Sequence, residues 1–468
     1  MSSTTVHKKK NGAKYLYSVE SYWDKDKKQA RNRQVCLGRL DEETGEAVPS
    51  NRKKRTAKRA SQAPEVTARS RIVGPCLILK KISDGIGLTQ VLKSCFPGRH
   101  EHILSLAFFL VQKGLPLSRC EQWSTLNAHP YGEAIPSQRV SDLLVSLDEG
   151  GRQEFFKKWM KAAAGKDCFF YDLTSVSSYS ELNEYVKWGH NRDGGKLPQV
   201  NLGMLYGQAS GLPVYYRRLP GSIGDVSALK KTIKSLDFIG QNKLTFVMDR
   251  GFYSETNLDA LFEAKMGFVL GLPHRVWVDA IYGQCRDEIF SPWNRRETRE
   301  NETLYVLTRL HSWGGRRCYV HVYYNNFAAA AEADAFDLKL VRWREELASG
   351  NEDPGNVKHY KKYFTVKDLP KRGRKVVENE EAVEAARNKY SGFFSIMTTK
   401  KMDAVEALEA YRRKESVECC FDDLKNSLDM NRLRIHSSQA MDSRLFIQFL
   451  SLILLSQLRK IKKQCGPA

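Results

Sequence analysis

Five short runs between residues 168 and 272 constrain this chain more than any other feature of its sequence. They are Cys168-Phe-Phe-Tyr-Asp-Leu-Thr174, Asn201-Leu-Gly-Met-Leu-Tyr-Gly207, Leu212-Pro-Val-Tyr-Tyr-Arg-Arg-Leu219, Leu244-Thr-Phe-Val-Met-Asp249 and Gly267-Phe-Val-Leu-Gly-Leu272. Each is mostly apolar, rich in aromatic and branched side chains, and too short for a buried helix, so each reads as a buried strand. Gln208-Ala-Ser-Gly211 is turn-forming, so the second and third runs pair antiparallel. Residues 225–236 and 254–264 have helical patterning. The order is three strands, helix, strand, helix, strand, which predicts an α/β layer structure.

The rhythm stops at 273 and resumes at Gly392-Phe-Phe-Ser-Ile-Met397, followed by helices expected over 403–427 and 441–461. Residues 273–391 read as an insertion, with strand-like segments at 303–309 and 317–325, a helix near 328–348 and a charged tail. On the other side, residues 73–164 look helical. A core helix runs over 103–112, Ser118-Arg-Cys-Glu121 fits a capping box, and a further helix restarts after Pro136-Ser137. These helices suit a helix-turn-helix DNA reader or an ordinary bundle equally well. Five segments result: a basic region 1–72, a helical region 73–164, a first core part 165–272, the insertion 273–391 and a second core part 392–468.

Charge narrows the partners. The chain carries +21, and residues 1–72 alone hold 18 Lys or Arg against 8 Asp or Glu, about +10. Such an excess favours a polyanion, since Lys and Arg neutralise phosphates and release condensed counterions. Within that region residues 15–22 alternate like a strand and residues 33–38 can pair with them. The aperiodic run at 51–59 is either a solvated linker or a DNA-backbone contact. None of the ten cysteines forms a C-x-x-C pair, so reduced thiols and a cytoplasmic setting are expected. The apolar stretch 446–458 is short for a bilayer and reads as a buried helix, so no membrane partner is expected.

Three acids stand out. Asp172 and Asp249 each follow an apolar strand, and Arg250-Gly-Phe-Tyr-Ser254 follows the second. A carboxylate at the end of a buried strand costs desolvation unless a cation or a helix cap offsets it. Singly such aspartates are more often cap or turn residues. Together in one basic α/β domain they suggest a shared Mg²⁺ site. The third comes from the expected helix over 403–427. At about 100° per residue, Tyr411, Lys414, Glu418, Phe421 and Lys425 share one face. Glu415 and Asp422 lie close to it, so periodicity does not single out Glu418.

These residues resemble the DDE transposases of bacterial insertion sequences, in the insertion-sequence-4 superfamily. That group carries a Tyr-x2-Arg-x3-Glu-x6-Lys signature, and Tyr411, Glu418 and Lys425 match it in register, with Lys414 in place of the arginine. The lysine keeps the charge and loses the planar fork. Asp172 in Tyr171-Asp-Leu-Thr174 and Asp249 in Met248-Asp-Arg-Gly-Phe-Tyr253 look like the family's two aspartates. The stretches 196–205, 211–213 and 220–225 look like its core between them. The resemblance implies a ribonuclease-H-like catalytic core, often with a β-rich insertion before the glutamate. It implies that Asp172, Asp249 and Glu418 bind two Mg²⁺ ions, with Mn²⁺ as a substitute. Tyr411, Lys414, Lys425 and Arg250 are then expected to contact phosphate. The expected activity is DNA cleavage and strand transfer, on the terminal inverted repeats of its own element and a target DNA. A homodimer on DNA and a nucleoid-associated location in a bacterial-type cell are further implications. A ribonuclease-H-like nuclease without strand transfer, or a DNA-binding repressor, would share parts of this pattern.

Overall fold

The computed structural model describes residues 2–10, 12–49, 70–163, 168–178, 180, 183–189, 197–238, 240–241, 244–369, 373–387, 390–428, 430, 432–433 and 437–466. The basic run at 51–59 lies outside these. The chain divides into two compact units, 1–69 and 70–468.

The first unit is an antiparallel meander of β1 (Ser2–Lys8), β2 (Lys14–Asp24), β3 (Gln29–Leu40) and β4 (Ala47–Val48). The strands expected at 15–22 and 33–38 are β2 and β3, with Tyr17 opposite Cys36.

The second unit opens with helices α1 (Gly74–Gly85), α2 (Leu88–Cys95), α3 (His100–Lys113), α4 (Cys120–Leu126), α5 (Ser137–Ser146) and α6 (Glu149–Ala163). Gly114, at φ 57°, closes α3 in the left-handed conformation that glycine takes without strain. The capping box at Ser118 does not form. Residues 117–119 make a 3₁₀ turn and α4 begins after Arg119 with no side-chain cap.

Next come β5 (Cys168–Ser178), β6 (Gln199–Gly207), β7 (Pro213–Pro220), α7 (Asp225–Phe238), β8 (Thr245–Met248), α8 (Glu255–Glu263) and β9 (Gly267–Leu272). The order is the one the sequence predicts. β5 runs past its apolar stretch because its pairing with β6 continues to Ser177, and Ser175 and Ser178 are both buried. Ser175 Oγ donates to Asn201 Oδ1 at 3.1 Å, which satisfies one of these polar groups.

Residues 273–391 contain α9 (Val276–Ile289), β10 (Arg295–Glu297), β11 (Thr303–Trp313), β12 (Arg316–Tyr324), α10 (Asn326–Ser349), α11 (Val357–Tyr363), β13 (Phe364–Leu369), β14 (Gly373–Glu378) and α12 (Glu380–Arg387). β10, β11 and β12 extend the central sheet through β15 (Phe393–Thr398). Helices α10 to α12 and the β13–β14 hairpin gather around a small core of their own, including Leu340, Trp343 and Tyr363.

The chain ends with α13 (Ala404–Arg412), α14 (Glu415–Asp422), β16 (Arg432–Leu433) and α15 (Ser438–Gln464). The single helix expected over 403–427 is broken twice. The backbone tightens into three-residue turns, Lys414 N to Tyr411 O and Val417 N to Lys414 O. It then widens into a π turn at 423–427. In that turn Asp423 is buried and ion-pairs with Arg459 of α15. The shared face drawn from Tyr411 to Lys425 therefore does not exist as one straight stripe. Helix α15 is longer than the apolar stretch seen in the sequence, and by length and composition it could cross a membrane. Its middle is buried against α3 and β7, as a core helix.

The central sheet has the order β10-β11-β12-β15-β9-β8-β5-β6-β7, with β16 added beside β5. β5, β7, β8 and β9 run in one direction, and β6, between β5 and β7, runs antiparallel to them. Helices cover both faces, which makes a layered α/β fold around a mixed sheet. Tyr171 marks one face, its hydroxyl 3.0 Å from Thr232 of α7. The opposite face carries Met204, touched by Cys420 of α14 at 3.9 Å, and Tyr216, packed on Phe449 of α15.

Candidate active site

The site grows from the pairing of β5 with β8. Phe170 stands beside Val247 in parallel register. Two residues on along each strand are Asp172 and Asp249, and parallel neighbours advanced equally stay abreast. Asp249 is still extended, at φ −74° and ψ 161°. The two carboxylates therefore stand at corresponding positions on neighbouring parallel strands, two residues past the last bridged pair. β8 ends at Met248, and the β8 side of β5 is next taken by β16 at Ser177. The sheet is open between these points. Asp172 is thus in mid-strand toward β6, opposite Met204, but at a gap toward β8.

Asp172 is half-buried, and its Oδ1 accepts from the Leu173 N–H at 2.7 Å. Asp249 is more fully tied. Its Oδ1 accepts from the Tyr411 hydroxyl at 2.5 Å and from the Arg250 N–H at 2.7 Å, and its Oδ2 lies 3.1 Å from Lys414 Nζ. Burial alone would raise the Asp249 pKa. The Tyr411 hydroxyl, the Lys414 charge and the Arg250 amide outweigh it and hold the carboxyl below its ordinary range. Tyr411 is shifted upward, first by burial and then by the carboxylate it serves. The Lys414 ammonium also lies 5.1 Å from the Tyr411 ring centre. Arg250 itself is exposed at the mouth.

Glu418 lies on α14, which packs on β5. Cys420, two residues on, touches Met204, the cross-strand neighbour of Asp172. The helix thus covers the face to which Asp172 points. Val417, Cys420 and Phe421 turn inward, while Glu418 is exposed. Lys425 is half-buried in the π turn. Asp422 is exposed and accepts from Asn426 at 2.6 Å. The structure thus brings Asp172, Asp249, Tyr411 and Lys414 together, with Glu418 at the rim of the same face. Among the described residues, no three Asp, Glu, His or Cys side chains are grouped closely enough to hold a metal ion. The aspartate pair itself fits a hard divalent cation, which takes carboxylate oxygens. A third ligand would come from α14.

One contributor escaped the sequence reading. A Cβ on Gly271 of β9 would fall 2.7 Å from the Tyr411 hydroxyl, so the bare backbone there is what lets the ring lie across the strand. A lone glycine inside an apolar strand is a signal of close approach.

No curated protein matches the chain. Among solved structures it is similar to a piggyBac transposase in a synaptic complex with hairpin DNA, at 10% identity and a TM-score of 0.38, over 83% of this chain and 76% of that one. It is also similar to a Mos1 transposase in a paired-end complex with the left transposon end, at 14% identity and a TM-score of 0.17, over 38% of this chain and 60% of that one. A family model, the transposase DDE domain, matches residues 163–454. That match spans well over half of the chain and takes in every strand and helix that places Asp172, Asp249, Tyr411 and Glu418, and so the chain belongs to the transposase DDE domain family.

Proposed function

We propose that this transposase cuts DNA at the ends of its own element and joins the freed 3′ ends to a target, with Asp172, Asp249 and Glu418 as its acids. The observation that carries the reading is the pair of aspartates abreast on β5 and β8, at the gap where β8 stops. The strand order β7-β6-β5-β8-β9, with β6 alone antiparallel to the other four, supports a ribonuclease-H-like core. Asp172 and Asp249 would hold divalent cations, Mg²⁺ by their hard oxygens, with Glu418 completing the set. When bound, such ions stabilise the attacking and leaving oxygens of an in-line phosphoryl displacement.

The chain's own residues have three tasks. The Tyr411 hydroxyl and the Arg250 amide fix one oxygen of Asp249 and keep it ionised. Lys414 neutralises Asp249 in the free protein and is long enough to turn to a phosphate when DNA arrives. Arg250, exposed beside Asp249, and Lys425 would contact the strand's backbone. Matches to the Tyr-Arg-Glu-Lys signature support membership of that subgroup, and a dimer on DNA goes with it.

The test uses supercoiled DNA bearing the sequences that flank the coding region, with Mg²⁺ and purified protein. Asp172→Asn, Asp249→Asn and Glu418→Gln should each lose cleavage at least a hundredfold, on the order of a lost transition-state contact, and keep binding. A variant that cleaves at near the wild-type rate removes that residue from the triad, and Glu415 and Asp422 become the next to change. A labelled 3′-hydroxyl donor separates strand transfer from simple hydrolysis.

A further inference from the structure

The open edge of the sheet carries a second basic site. Beside β7, the last strand, lies a cavity of about 530 Å³ lined by Arg152 of α6, Arg217 and Arg218 of β7, Lys234 of α7 and Tyr185. Its acids are Glu149 and Asp442. Asp442 is shared by two cations, 3.0 Å from Arg218 Nε and 3.8 Å from Arg152 Nη2. The Arg218 guanidinium also stacks on the Tyr185 ring at 3.8 Å. Arg217 is different. Its Nε is buried and has no hydrogen-bond partner among the described residues. A buried orphan donor on a guanidinium is costly, and an anion in the cavity would satisfy it. A smaller adjoining cavity adds Lys231 to the same two arginines.

The register places the cavity near the two aspartates. Asp172 pairs with Met204, and Met204 with Tyr216, the residue before Arg217. Two strand spacings, about 10 Å, therefore separate the row of Asp172 from the cavity. Met204 and Tyr216 are buried beneath α14 and α15, so a strand engaged at Asp172 and Asp249 would reach the cavity around these helices, at the β7 edge, and not along the row itself.

We propose that this cavity is a phosphate site, taken by the backbone of the bound DNA strand beyond the reacting position, with Arg217 and Lys234 as its free-standing cations. The proposal rests on the transposase reading for its ligand. Arg217→Gln and Lys234→Gln are the variants. Lys234 is exposed, so that protein should fold even if Arg217→Gln does not. The probe is a short duplex of mixed sequence, titrated by fluorescence anisotropy over a range of salt. Each variant should weaken binding for any sequence and lower the log–log salt slope by about 1, the double variant by about 2. In parallel, inorganic phosphate and AMP are added to each protein in thermal melts. Unchanged slopes in both variants, with phosphate still raising the wild-type melting temperature alone, would assign the site to a free phosphate compound and overturn the DNA assignment. Unchanged slopes and no phosphate effect would overturn the site altogether. A wild-type protein that binds no duplex at any salt would overturn the transposase reading as well, which separates the two failures.

Discussion

At the scale of single residues, Asp249 shows how much of a site is built to hold one charge. Three donors converge on it from two elements, and one of them, the Tyr411 hydroxyl, reaches it only because Gly271 leaves room. Two predictions follow from this contact. Tyr411→Phe should destabilise the protein by about 1 kcal/mol at neutral pH, a hydrogen bond to a charged group discounted for a carboxylate 44% exposed. The folded pKa of Asp249 is depressed, so the stability it confers is present above the ordinary carboxylate range and lost as pH falls through the folded value. Urea melts at pH 7 and at pH 3 should show a smaller Tyr411→Phe difference at pH 3. An equal difference at both would mean that the hydroxyl acts by packing. Gly271→Ala puts a methyl 2.7 Å from the hydroxyl and 3.0 Å from the ring, so Tyr411 must move. Overpacking of this kind costs about 1–3 kcal/mol, and a melt equal to wild type would show that the strand yields instead.

Elements were legible where periodicity and local chemistry agree. The strands β5 to β9 and the helices between them follow from apolar runs and turn residues alone, and so do both aspartates. What the sequence hid was set by long-range partners. The helix over 403–427 breaks where Tyr411 and Lys414 turn to Asp249 and where Asp423 turns to Arg459, and no local pattern marks contacts to residues so far away. Likewise β11 and β12, read as an insertion, belong to the main sheet because β15 pairs with β12, across more than 60 residues. His321 is the hinge pin of that extension. On β12 it lies 2.9 Å from the Thr308 hydroxyl of β11 and 3.1 Å from the Thr398 hydroxyl of β15. Burial holds its pKa down to about 4, against an ordinary value near 6.5. Between these values the unfolded chain binds a proton that the folded chain does not, so stability falls as pH drops through that window. The loss from this residue is on the order of 3 kcal/mol. His321→Gln, which does not titrate, should show a smaller drop in urea-unfolding free energy between pH 7 and pH 4.5. His102, also held near 4 by burial, should leave part of the dependence in place. An unaltered drop would mean that His321 titrates in the folded protein as it does in the unfolded one.

On the scale of the whole molecule, charge and core are distributed differently. Residues 1–69 carry 17 Lys or Arg against 8 Asp or Glu, +9 of the total +21, in a unit whose described residues bury little more than Val19. Residues 70–468 hold the extensive apolar core and every acid assigned to catalysis. A protein lacking residues 1–69 should therefore fold and keep its melting transition. It should bind DNA less tightly, and the log–log slope of binding against salt should flatten, by about 0.9 for each phosphate that the removed cations neutralised. If half of the 17 basic residues engage phosphates, the slope falls by roughly 8, far outside the spread of such measurements. Cleavage by the shortened protein on pre-bound DNA at low salt should continue, because Asp172, Asp249 and Glu418 are untouched. The competing account makes the first unit a protein-binding module whose basic residues stay solvated; it requires the same salt slope with and without residues 1–69. Anisotropy titrations of the two proteins on one duplex across the same salt range decide between them.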